Sequence, residues 1–98
     1  MAKVRLSGRA FAHLERIFEF MADRDPARVL QTVQRMREAV MLLERHPLIG
    51  RPVEDGRREL VMAHGRGTYL ALYRWFPADE SVLVLVIRHA REAGYEGQ

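Results

Sequence analysis

Cysteine is absent from this 98-residue chain, which excludes disulfides, a thiolate nucleophile and any cysteine-ligated zinc site, and suits a reducing cytosol. Lysine occurs once, as Lys3, so fifteen of the sixteen cationic side chains are arginine. The only serines are Ser7, ahead of a helical pattern, and Ser81, at a turn. That gives no nucleophile elbow and no serine triad. A long apolar run is missing too: the best stretch, Ser81 to Ile87, falls far short of the roughly 20 residues that cross a bilayer. Behind the basic start of Lys3, Arg5 and Arg9, the apolar residues are interrupted by His13, Glu15 and Arg16, so no signal peptide is expected and the cytoplasm is the expected location. Gly65-Arg66-Gly67 lacks the remaining spacing of a nucleotide-binding loop. The four histidines, at 13, 46, 64 and 89, match no metal motif. Neither cofactor nor metal is therefore expected.

What is present is the balance of a folded protein, 48% apolar and 30% charged, in a length that suits one domain spanning 1–98. The net charge of +3 is a small excess for a dedicated nucleic-acid binder. Arginine supports bidentate contacts with carboxylate or phosphate. A GC-rich coding sequence accounts for the same richness without any function.

Ala2 to Leu6 alternates in strand fashion, and Ser7 reads as a helix N-cap. Phe11, Leu14, Phe18 and Met21, with Ile17 beside them, make one helical stripe ending near Ala22. Asp25-Pro26 predicts a capped restart. The second helix carries Val29, Val33, Met36, Val40 and Leu43 on one face, joined by Leu30 and Leu42, and stops at His46-Pro47. So short a connection makes an antiparallel helix hairpin. Residues 47–56 read as a loop, 57–63 as a strand, and 67–76 with 81–89 as a β-hairpin about Pro77-Ala-Asp-Glu80. The predicted fold is α+β in the order β-α-α-β-β-β, with the helix hairpin on a small, mainly antiparallel sheet.

On the 67–76 strand, Tyr69, Ala71, Tyr73 and Trp75 share one face, and Leu70, Leu72, Arg74 and Phe76 the other. An aromatic stripe on a central strand reads first as core. Because both faces are apolar and two helices cover only one, the other face is expected to be part-exposed or covered by a partner. The final strand delivers Arg88, His89, Arg91 and Glu92 to its tip. One reading of that tip is a ribonuclease, with a histidine such as His64 or His89 as acid or base and Arg58, Arg66, Arg74, Arg88 or Arg91 stabilising phosphorane charge. The competing and commoner arrangement is that these arginines pair with Glu54, Asp55, Glu59 and Glu92 or sit solvated. His13 and His46 fit structural positions.

Arg51-Pro-Val-Glu-Asp-Gly56, Arg58-Glu-Leu60, Tyr69 to Arg74 and above all the closing Ile87-Arg-His-Ala-Arg-Glu-Ala-Gly-Tyr95 resemble toxins of the RelE/ParE superfamily, most closely the ParE, or plasmid stabilisation, branch. The resemblance implies a type II toxin inhibiting DNA gyrase and neutralised by a ParD-like ribbon-helix-helix antitoxin laid along hairpin and sheet. Leu14, Phe18, Leu30, Tyr69, Tyr73 and Trp75 are then the expected antitoxin contacts, and Arg58, Arg66, Arg88, His89 and Arg91 the expected target-recognition residues. The RelE branch implies instead a ribosome-dependent mRNA endoribonuclease, for which Arg58, Arg74, Arg88, His89 and Tyr95 are the available set. The lysines usual in that branch are missing. A non-toxic module that binds an antitoxin is the third alternative.

Overall fold

The computed structural model describes residues 1–63 and 67–91. Strand β1 (Lys3–Leu6) leads through Ser7 into helix α1 (Gly8–Arg24). The Ser7 Oγ accepts the Ala10 N–H at 3.0 Å, satisfying one of the amides a helix start leaves free. Asp25 does not cap a second helix directly. A 3₁₀ turn, Pro26–Arg28, comes first, without a side-chain cap, and α2 runs Val29–Arg45. Residues 47–56 are not wholly loop either. Arg51–Pro52 forms a short edge strand, β2, followed by a 3₁₀ turn at Glu54–Gly56. Strands β3 (Arg58–Ala63), β4 (Tyr69–Phe76) and β5 (Ser81–His89) complete the described chain. The order is thus the expected one with one strand added.

The sheet order is β1-β5-β4-β3-β2, with β1 parallel to β5 and the other neighbours antiparallel. The β4–β5 hairpin closes where Phe76 faces Ser81, across a turn whose last residue, Glu80, is left-handed at φ 49°. The register slips once, between the Leu72–Val86 and Tyr73–Val84 pairs, leaving Leu85 without a β4 partner. Such a bulge strands backbone polar groups that must be paired elsewhere. The start of α1 meets the Leu85 carbonyl, to which Ser7 Oγ donates at 3.1 Å, and further along, where β1 no longer runs beside β5, His13 Nδ1 accepts the Ile87 N–H at 3.3 Å. His13 is accordingly structural.

Both helices lie on one face, where Ala10, Met21, Met36, Ala39 and Leu43 close over Leu60, Tyr69, Ala71, Tyr73, Val82, Val84 and Ile87. The buried line of α2 is Thr32, Met36, Ala39 and Leu43, rotated from the expected stripe. The small side chains of Thr32 and Ala39 let that line approach the sheet, while Leu30 and Leu42 are left outside. On α1, Leu14, Ile17 and Phe18 pack partly against the core, but Phe11 is turned to solvent. The opposite sheet face is closed at its centre, since Leu70, Leu72 and Val86 are buried, and it opens only towards its margins at Val61 and Phe76. The apolar excess of β4 therefore does not leave a whole face waiting for a partner.

Candidate functional site

The tip of β5 separates its charged residues by simple alternation. Arg88 opposes Leu70 and His89 opposes Tyr69, so the guanidinium goes to the face away from the helices and the imidazole to the helix side. Arg88 Nη1 donates to the carbonyls of His89 and Ala90 at 3.2 and 3.5 Å, and Nη2 lies 3.8 Å from Glu59 Oε2. The His89 ring meets the Tyr69 ring edge-on, with centroids 5.2 Å apart, and its Nδ1 accepts the Arg91 N–H at 3.0 Å. A Cβ on Gly67 would come within 3.3 Å of His89 Nε2, so the glycine gives the imidazole its place. Arg91 itself is exposed.

Arg58 lies on the helix side of β3, opposite Tyr73, where its Nη1 donates to the carbonyls of Leu48 and Gly50 at 2.9 and 2.8 Å. Arg74 is on the other face, opposite Leu83. The four described members of the ribonuclease set are thus divided, Arg74 and Arg88 on one face and Arg58 and His89 on the other. Along β4 the Arg58 row and the His89 row are four residues apart, which is about 13 Å of strand. No single substrate phosphate touches all four. Arg66, His64, Glu92 and Tyr95 lie outside the described residues.

Glu59 anchors the far face. Although a carboxylate, it is only 8% exposed, and its Oε1 accepts from both Nε and Nη2 of Arg51 at 3.0 and 2.9 Å. With Arg88 beside the other oxygen, the buried charge is compensated from both neighbouring sides of the sheet. The pairing of Arg88 with Glu59 is one of the expected ion pairs, whereas Arg51 with Glu59 and Arg57 with Asp55 at 3.5 Å join arginines which that expectation did not name.

Tyr69 and Tyr73, expected as partner contacts, are buried under the helices, Tyr73 at 0% exposure, while Trp75 is half-buried against the same cluster. Tyr73 also holds a loop in place, since its hydroxyl donates to the Pro47 carbonyl at 2.7 Å and accepts the Gly50 N–H at 2.9 Å. Burial pushes its pKa above the ordinary tyrosine value, against the lowering effects of the Gly50 bond and the Arg58 charge. The aromatic face of β4 is core.

The helix hairpin does offer a surface. Leu14 and Phe18 are half-buried and Phe11 shares their flank of α1. Leu30 on α2 is 68% exposed, and Phe20, 60% exposed, carries Arg24 over its ring at 4.2 Å. Phe11 and Phe20 were not singled out by the sequence pattern as surface residues. A large aromatic standing off the buried stripe, as Phe20 does two residues from Phe18, is the available signal. Among the described residues no group of three or more His, Asp or Glu side chains is placed to hold a metal ion, and no helix is long and apolar enough to cross a membrane.

Residues 4–94 match the family model of the ParE toxin of the type II toxin–antitoxin system parDE. The chain belongs to the ParE toxin family. A chain of the chromosomal ParDE system from P. aeruginosa is similar at 26% identity, with a TM-score of 0.73 over 91% of this ParE-family chain and 96% of the other. The toxin–antitoxin complex RelBE2 from Mycobacterium tuberculosis gives 26% identity and a TM-score of 0.59, covering 90% and 96% of the two chains. A metal-bound toxin from Helicobacter pylori shares the fold at 11% identity, with a TM-score of 0.58 over 96% of this chain and 100% of that one. No curated protein sequence gives a significant match. The ParE-family chain thus has the α+β toxin fold of both ParDE and RelBE2.

Proposed function

We propose that this ParE-family toxin acts in the cytoplasm by inhibiting DNA gyrase without catalysing a reaction, and that a cognate ParD-like antitoxin neutralises it. The observation that carries the non-enzymatic reading is the division of Arg58, Arg74, Arg88 and His89 between opposite sheet faces, with Arg58 and Arg88 already bound to backbone carbonyls. A phosphodiester-cleaving centre needs its acid, base and charge stabiliser around one phosphate. Arg88, His89 and Arg91 remain the target-recognition residues in this reading, with Arg91 exposed at the end of β5 and the half-buried His89 and Arg88 behind it. Leu14, Phe18, Leu30 and the newly visible Phe11 and Phe20 form the antitoxin surface, suited to the apolar side of an amphipathic helix.

The test is the supercoiling of relaxed plasmid by purified gyrase, run beside a ribosome-dependent mRNA cleavage assay. Loss of supercoiling with intact mRNA supports the proposal. Cleaved mRNA with supercoiling untouched, and cleavage lost in Arg74→Ala, sinks it.

A further inference from the structure

At the margin of the far sheet face, the register assembles cations to which the gyrase reading gives no part. Arg5 of β1 opposes Leu83 of β5, which opposes Arg74 of β4, so these three form a row on one face. In the next row Lys3 opposes Ser81, which opposes Phe76. From strand geometry, Arg5 and Arg74 stand about 10 Å apart and Lys3 about 7 Å along the strand from Arg5. Lys3 and Arg5 are exposed, Arg74 is half-buried, and Phe76 is 37% exposed. Among the described residues, the side chains of Lys3, Arg5 and Arg74 make no hydrogen bond or ion pair.

Two of the neighbouring carboxylates are engaged elsewhere. Glu59, one row inward, is occupied by Arg51 and Arg88, and Asp55 pairs with Arg57. Glu54, Asp79 and Glu80 are exposed on the turns bordering the face. The guanidinium of Arg74 is laid against the Glu54–Gly56 turn, where a Cβ on Gly56 would come within 3.4 Å of its Nη1. A half-buried side chain lying against a turn has less freedom to lose on binding an anion than a fully exposed one.

We infer that this row is a binding strip for single-stranded nucleic acid, with Lys3, Arg5 and Arg74 on successive phosphates and Phe76 as the stacking platform for a base. Regularly placed cations beside an exposed aromatic are the composition that single strands use. An acidic helical peptide would need an apolar groove between the cations, and Leu83 alone lies there. The strip is non-catalytic, and it does not depend on whether gyrase is the target.

Fluorescence anisotropy of a fluorescein-labelled oligothymidylate tests it. Binding at low salt is expected, with log affinity falling linearly in log salt. Arg74→Gln and Arg5→Gln should each weaken binding by about 3- to 10-fold and lower the salt slope by about one unit. Phe76→Leu should weaken binding with the slope unchanged. Arg37→Gln, on the outward side of α2, should leave affinity within about 2-fold. No binding, an equal loss in Arg37→Gln, or displacement of the oligonucleotide by polyglutamate as readily as by unlabelled oligothymidylate would each overturn the inference. The same variants run in the supercoiling assay report on gyrase separately.

Discussion

Tyr73 joins the loop at Pro47–Gly50 to the middle of the sheet through two hydrogen bonds of one hydroxyl. Tyr73→Phe keeps the ring and strands a buried amide, so it should lower unfolding free energy by about 1–3 kcal/mol in urea titrations with m unchanged. Gly50→Ala should be at least as damaging, because its Cβ would meet the Tyr73 Cε1 at 2.7 Å and the Glu59 carbonyl at 2.9 Å. The pH dependence follows from the raised pKa of Tyr73. The folded state holds this proton to higher pH than the unfolded chain does, so the contribution is complete below about pH 10 and is lost as pH climbs through the folded value. Stability of the parent should fall in that alkaline window more steeply than that of Tyr73→Phe, and equal slopes would remove Tyr73 from the account. That a tyrosine at this position would be core was legible from its place in a central strand. The partners of its hydroxyl were not, because they come from a loop more than twenty residues away with no pattern of its own.

The helix hairpin carries the surface chemistry at the scale of elements. Leu30 contacts solvent and not the core, so Leu30→Asp should change stability by no more than about 0.5 kcal/mol. By calorimetric titration it should weaken antitoxin binding by about 10- to 100-fold if Leu30 sits centrally in that interface. A drop in thermal stability with unchanged affinity would show the opposite role. The existence, type and rough limits of both helices and of β3, β4 and β5 could be read from periodicity. The rotation of α2 could not. Val33 and Val40 look like better core residues than Thr32 and Ala39, but close approach of helix to sheet rewards small side chains over apolar ones. Strand β2 was hidden for a related reason: two residues including a proline give no alternation, and only its pairing with Glu59 and Arg58 makes it a strand. The face assignments of β4 were legible, whereas the burial of Leu72 on the face away from the helices was not.

Across the whole molecule, the β4–β5 hairpin is central, and β1 and β2 are the edges. Amide hydrogen exchange should therefore be slowest at Ala71, Leu72, Val84 and Val86, and fast at Arg51 and Leu30; early exchange of β5 relative to α2 would contradict this hierarchy. The ribonuclease set was plausible as a string because sequence proximity at Arg88-His89 looks like spatial proximity. Strand alternation is what turns neighbours in the chain into residues on opposite sides of a sheet.

The parallel pairing of β1 with β5 joins the first element to the last of the described strands. A chain emerging from the ribosome holds β1 with no strand beside it until Ser81 and the residues after it are made, and Ser7 and His13 wait equally long for Leu85 and Ile87. Pairings of such sequence separation are made late. The native fold, and with it any poison it carries, is consequently withheld until β5 has cleared the exit tunnel. A fragment that stops before Ser81 lacks the strand that completes the sheet, and so cannot present the tip of β5.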